Sequence, residues 1–207
     1  MTLVEGPPAE ERFLTWTDWE GYLHILEAFK DRRIKITYDR GTLELLSPSR
    51  LHETVKGLLG LLLAMAFLER RIPFRSAGST TFRRRLLDRG LEPDDCYFLS
   101  QVPPLREDEG PEEVPLPDLV IEVEISRSAL DRMSIYQALG IPEVWRYSRD
   151  HCLTVEKLGP DGYRKQEESG LLGGLPVQEL PRFVRVGLEQ DSLAMLEAFR
   201  SWLARCG

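Results

Sequence analysis

The chain has 207 residues and a mass of 23.8 kDa, with 42% hydrophobic and 29% charged side chains, enough to bury a full core, which excludes a disordered chain. Lys and Arg number 27 against 34 Asp and Glu, so the formal net charge of -7 excludes a globally basic nucleic-acid coat protein; any polyanion must be met by a local patch. Three widely spaced cysteines, Cys96, Cys152 and Cys206, form no CxxC pair, which argues against a disulfide scaffold or zinc ribbon and fits a reducing, cytoplasmic setting.

The opening MTLVEGPPAEERF carries no basic-then-apolar signal, and residues 1–14 read as a frayed, Pro- and Glu-rich start. Thr17 is placed to cap a helix over 18–29, where Trp19, Tyr22, Leu23, Leu26 and Phe29 recur at helical spacing. IKITYDRGTLELLS predicts a hairpin, two β-rich runs flanking Tyr38-Asp39-Arg40-Gly41, because glycine takes the positive φ such a turn needs. Ser47 followed by Pro48 resembles an N-cap with proline at the first helical position, opening a helix that runs to about residue 71. Its apolar run over 58–68, with Gly60 inside, is too short to span a bilayer, so it predicts a central buried helix and no membrane partner.

FRSAGSTTFRRR predicts one long strand, and a turn at Asp88-Arg89-Gly90 leads to a shorter one, DCYFLSQV. The Pro- and Glu-rich stretch PPLREDEGPEEVPLP reads as a solvated loop, and PDLVIEVEIS as an interior strand. Ser128 and Asp131 suggest a capping box for a helix ending at Gly140. PEVWRYS and CLTVEKLG form a second hairpin, DGYRKQEE adds an edge strand, and a helix over Ser192–Leu203 closes the chain, with 203–207 frayed. With no internal repeat and no linker, this order predicts a single α/β (α+β) domain, a mixed sheet with helices packed on it.

Position singles out a few acids. Strand alternation places Asp118, Val120, Glu122 and Glu124 on one face of PDLVIEVEIS and Leu119, Ile121, Val123 and Ile125 on the other. Carboxylates this close on a partly buried strand repel and lose hydration, and a divalent cation relieves both costs; the plainer alternative is a wet edge face. A second cluster, Glu92-Pro93-Asp94-Asp95, enters the preceding strand. A proline-aspartate there, followed by a strand carrying a second acid, is an arrangement by which nucleases hold magnesium, whereas taken alone it is an ordinary turn pair.

The succession DRGTLELLSPSRLHE, FRSAGSTTFRRR, GLEPDDCYF, PDLVIEVEIS and SIYQALGIPEVWRY resembles the Uma-type endonuclease family, a domain of unknown function in the PD-(D/E)xK restriction-endonuclease-like superfamily, over about residues 15 to 170. The resemblance implies a restriction-endonuclease-like mixed β-sheet flanked by helices, Mg2+- or Mn2+-dependent hydrolysis of DNA, and homodimers. Carried over by motif, Asp94 and Glu122 match the two metal-binding acids, His52 and Glu53 match polar positions near the start of the buried helix, and the Val123 carbonyl is an extra metal ligand. Glu124, which adds to the acidic face, stands where the motif expects lysine. The substitute cation is Arg132, four residues before Tyr136, with Lys56 second and Lys35 a distant third. Arginine stays protonated and stabilises phosphate charge but is no general base.

Seven arginines stand at 70, 71, 75, 83, 84, 85 and 89; Arg83 and Arg85 on one strand face suggest phosphate contacts, unless the run is a solvated strand end balanced by the acidic loop 107–113. His24 and His151 read as structural, and Cys96 as a buried small hydrophobe. Two functions remain open: a metal-dependent endonuclease, or a non-catalytic binding or assembly protein that kept the fold and lost the lysine. Cleavage of RNA is not separable from cleavage of DNA at this level.

Overall fold

Eleven strands and five α-helices form within residues 10–99, 101–103 and 114–205, the parts of the chain that the computed structural model describes. The first half holds β1 (Glu11–Trp16), α1 (Trp19–Phe29), β2 (Lys35–Asp39), β3 (Thr42–Ser47), α2 (Arg50–Glu69), β4 (Arg75–Ser76), β5 (Phe82–Arg84), β6 (Arg89–Leu91) and β7 (Asp95–Phe98). The second holds β8 (Leu119–Glu124), α3 (Arg132–Leu139), β9 (Glu143–Ser148), β10 (Leu153–Gly159), β11 (Gly162–Gln166), α4 (Leu180–Glu189) and α5 (Ser192–Leu203). They make two sheets where the sequence suggested one: β1-β3-β2-β6-β5, antiparallel throughout, and β11-β10-β9-β8-β7-β4, in which only β8 and β9 run parallel.

The period of two in β8 decides the layering. Leu119, Ile121 and Val123, each at most 3% exposed, face a core shared with α2, α4 and α5. Burying three such side chains contributes about 1.5–3 kcal/mol each. Val120, on the other face, joins Ile135, Tyr136 and Leu139 of α3 and Phe82 and Leu91 of the five-stranded sheet. Glu122 therefore faces α3 and the second sheet, and β8 is the interior strand that its apolar run predicts. Asp118 lies just before the strand and accepts a hydrogen bond from the Leu99 amide at 2.7 Å.

Capping and turn chemistry account for the element ends. Arg40 (φ 47°) and Gly41 (φ 92°) form the β2–β3 turn, both left-handed as a two-residue hairpin requires. The first helix is capped by Asp18, which accepts from Gly21 N at 2.8 Å, because Thr17 is held by its amide to the Gly41 carbonyl. Ser49, not Ser47, caps α2, since Ser47 is still paired with Glu11 in the sheet. Asp131 alone caps α3, and Gly140 ends it at φ 83°.

Long-range pairing overrides local pattern elsewhere. FRSAGSTTFRRR is not one strand: Gly78 (φ 58°) turns the chain, so β4 joins β7 in one sheet and β5 joins β6 in the other. Of the expected fray at residues 1–14, residues 1–9 lie outside the described residues, and from Glu11 onward the chain forms β1, which pairs with β3. The helix α4, absent from the expected order, buries Leu180, Phe183 and Val184. By length and composition α2 is long enough to cross a bilayer, contrary to the short-run expectation; it is a core helix with eight buried side chains. Of the expected fray at 203–207, Leu203 is a buried residue of α5, while 206–207, with Cys206, lie outside the described residues, as does the acidic stretch 107–113.

Two glycines separate close approach from mere flexibility. A Cβ on Gly90 would meet the Tyr22 Oη at 2.2 Å and Cζ at 2.8 Å, and Tyr22 is fully buried and stacked on Tyr38. Gly90→Ala should cost about 1–3 kcal/mol in urea unfolding. In α2, a Cβ on Gly57 meets nothing within 4 Å, so Gly57→Ala should add about 1 kcal/mol of helix propensity. Equal effects of the same sign at both positions would contradict this packing.

Candidate active site

Antiparallel pairing of Asp95 with Ile121 sets Asp94 beside Glu122 at the end of the β7–β8 ladder, both carboxylates buried at 2% and 6% exposure. Asp94 Oδ2 accepts from the Val123 amide at 2.5 Å, and Oδ1 accepts from His52 Nε2 at 2.8 Å and from Lys35 Nζ. Glu122 Oε1 accepts from Arg132 Nη2 at 2.6 Å and from the Tyr136 hydroxyl. Arg132 is held in turn by donating to the Glu92 carbonyl at 2.8 Å and to Thr37 Oγ1. Lys35 and Thr37 are two apart on β2, so one face of that strand brings both a cation and its neighbour's anchor to the pair.

The network continues outward. His52 Nδ1 donates to Glu10 Oε1 at 2.7 Å, and Glu10 also accepts from Ser126. Glu44, 2% exposed, accepts from Arg12 at 2.9 Å and from Ser128 and the Ala129 amide at 2.8 Å each. Glu92 accepts from Thr81 at 2.8 Å. Burial pushes Asp94 up, but the His52 hydrogen bond and the Lys35 charge outweigh it and hold the carboxyl well below the ordinary range. For Glu122, burial wins over Arg132, and the charge of Asp94 adds to it, so its pKa is raised. Burial would lower His52, yet its bonds to Asp94 and Glu10 lift it to about 9 and make it an imidazolium at neutral pH.

The pair faces a cavity of about 30 Å³ that Lys35, His52, Val123, Glu124 and Arg132 also line. That volume holds about one or two waters.

The sequence matches the family described as "Putative restriction endonuclease" (Uma2) over residues 19–195. The chain belongs to the Uma2 family. A similar solved structure, "a putative nuclease belonging to DUF820" from Anabaena variabilis ATCC 29413, is 14% identical with a TM-score of 0.52, covering 72% of this chain and 90% of that one. At that identity the likeness is one of fold, and it confirms the nuclease-like α+β architecture. No curated protein matches the sequence.

In this Uma2 chain the predicted site residues separate. Asp94, Glu122, Arg132 and His52 meet, and Val123 joins them through its amide. Glu124 lines the same cavity, but its carboxylate is engaged by Arg146 at 2.8 and 3.0 Å. Glu53 does not join; it pairs with Lys56 at 3.5 Å one turn along α2, and both line a neighbouring cleft. The lysine at the pair is thus Lys35, not Lys56. Arg83 and Arg85 do not share a strand face, because β5 ends at Arg84; Arg83 lies half-buried against Gly90, and Arg85 pairs with Glu20 at 2.7 Å. Among the described residues no three His, Cys, Asp or Glu side chains cluster as a ligand set.

Sequence reasoning missed Glu10, Glu44 and Thr37. Glu44 carried the signal that marked Glu122, an acid inside an apolar strand; Glu10 sits in a segment with no local pattern. Cys96 is buried as expected, its thiol pushed up to about 12 by burial, and His24 is exposed.

The folded pKa of His52, about 9, lies above its ordinary 6.5, so its ion pairs stabilise the fold fully below pH 6.5 and are lost as pH rises through 9. In metal-free buffer, the urea midpoint should fall across that window, and His52→Gln should remove most of the fall. A wild-type midpoint flat from pH 6.5 to 9 would show His52 neutral throughout.

Proposed function

We propose that this Uma2 protein is a metal-dependent endonuclease that hydrolyses DNA phosphodiester bonds at Asp94 and Glu122. The observation that carries the reading is the convergence of two buried carboxylates from adjacent strands on one small cavity, with an ammonium and a guanidinium already aimed at them. Mg2+ keeps several waters and takes one or two protein carboxylates together with substrate phosphate oxygens, so two hard oxygen donors and the Val123 carbonyl fit it without a third acid. Bound there, Mg2+ or Mn2+ would acidify a water and neutralise charge on the phosphoryl group.

The chain's own residues supply the rest. Lys35 provides the ammonium that position 124 lacks, coming from β2 of the other sheet instead of from β8. Arg132, fixed by Glu122, Thr37 and the Glu92 carbonyl, places a permanent positive charge where the phosphoryl oxygens gain negative charge. His52 keeps Asp94 ionised and oriented through the Glu10–His52–Asp94 chain.

A second reading has its own support: Lys35, His52 and Arg132 already neutralise both acids, as in a nuclease fold that keeps its shape by internal ion pairs and binds without cutting. Plasmid nicking with Mg2+ or Mn2+ decides between them. Wild type should nick, while Glu122→Gln and Asp94→Asn, which keep shape and remove charge, should each lose at least about a hundredfold in rate. Lys35→Ala should lose a comparable factor, and Lys56→Ala little. Supercoiled plasmid surviving either ion, with no ion binding by calorimetry, would establish the binding-protein reading.

The proposal includes a homodimer, with a second copy meeting an edge such as the mostly exposed β11. Sedimentation at micromolar concentration should show it; a monomer alone would remove it.

A further inference from the structure

Two larger clefts share lining residues with the small cavity at the acid pair. One, of about 430 Å³, meets it at Lys35 and is lined by Arg32, Arg33 and Lys56. The other, of about 320 Å³, meets it at Glu122 and Arg132 and includes Arg127 and Arg149. Arg32, Arg33, Arg127 and Arg149 are all exposed, and their side chains make no hydrogen bond or ion pair with any described residue. Lys30 in the first cleft is paired with Glu27, and Arg85 and Arg164 elsewhere with Glu20 and Asp161, while other exposed arginines such as Arg50, Arg71, Arg185 and Arg205 also make no side-chain hydrogen bond or ion pair with a described residue. What sets Arg32, Arg33, Arg127 and Arg149 apart is their place: they stand in the two clefts that share residues with the acid pair.

Pockets for drug-like ligands are mostly apolar, whereas here five cations in the first cleft outnumber Glu53 and Glu92, and in the second Arg127, Arg132, Arg146 and Arg149 stand against Glu122, Glu124, Asp131 and Asp150, a charged lining that suits a phosphodiester backbone better than a small apolar molecule. Two clefts that share different residues with the acidic centre, Lys35 in one case and Glu122 and Arg132 in the other, match a chain-like ligand that continues past the reacting bond in both directions. We propose that the DNA strand runs through both clefts across the acid pair, its phosphates held by Arg32 and Arg33 on one side of the scissile bond and by Arg127 and Arg149 on the other. The inference rests on the nuclease reading above and moves the DNA track away from the 83–89 arginine run.

Fluorescence anisotropy with a labelled DNA duplex in EDTA, over a series of salt concentrations, tests it. Each phosphate contact contributes about 0.9 to the slope of log K against log salt. Arg32→Ala with Arg33→Ala, and separately Arg127→Ala with Arg149→Ala, should each lower the slope by about 2. Both double variants should keep the wild-type thermal midpoint, since the side chains they remove are exposed and uncommitted. Arg83→Ala with Arg85→Ala should leave the slope at its wild-type value. A wild type that binds and nicks DNA while either cleft variant keeps the full slope would overturn the two-sided path and leave the nuclease reading standing. A wild type with neither DNA binding nor nicking would instead remove the nuclease reading.

Discussion

Two carboxylates buried side by side on adjacent strands must be compensated, and that requirement organises the centre of this molecule. Asp94 stands immediately before β7 and Glu122 lies on β8, and breaking a buried ion pair by removing one partner costs on the order of 3–5 kcal/mol. The compensating cations come from three other elements: Lys35 from β2, His52 from α2 and Arg132 from α3. Each reaches the pair only if its own element is correctly docked. The electrostatics of the site thus fix how the five-stranded sheet sits against the six-stranded one, and Thr37 and the Glu92 carbonyl, which hold Arg132, belong to the same contact.

This double duty shapes what the site can do. A polar cluster that holds two sheets together is satisfied by its own cations, so any metal or phosphate entering it exchanges with interactions already made. Lys35 and Arg132 lie on opposite acids, and movement of Lys35 leaves Asp94 with His52 and the Val123 amide, whereas movement of Arg132 leaves Glu122 with the Tyr136 hydroxyl. His52 differs because it titrates: with its pKa lifted to about 9 it is charged under neutral conditions, and its link to Glu10 extends the network to the first described residue of the chain. In this Uma2 chain Glu124, where the sequence resemblance expects lysine, is turned to Arg146, while an ammonium reaches Asp94 from Lys35 on another strand.

The fold similarity to a DUF820 protein at 14% identity shows that the layering tolerates wide change in sequence. In this chain the layering rests on the alternation on β8, apolar toward α2, α4 and α5 and mixed toward α3, together with a helix start that presents His52. These are constraints of burial and charge, and many sequences satisfy them.

By itself the sequence determined whatever follows from local pattern: the faces of β8, a β2–β3 turn closing on Gly41, the Gly140 end of α3 and the bounds of α5, while the matching of Asp94 with Glu122 came from the family resemblance. Only the tertiary structure decided that FRSAGSTTFRRR splits between two sheets, that β1 and α4 form, that Glu53 and Lys56 turn to each other, and that Lys35 is the lysine at the acids. The physical reason is one of range. A period of two or 3.6 is written into neighbouring residues and fixes which way a side chain faces. The partner it meets depends on strand pairing between segments as far apart as Lys35 and Asp94, where the buried carboxylate selects whichever cation the docked sheets bring within reach.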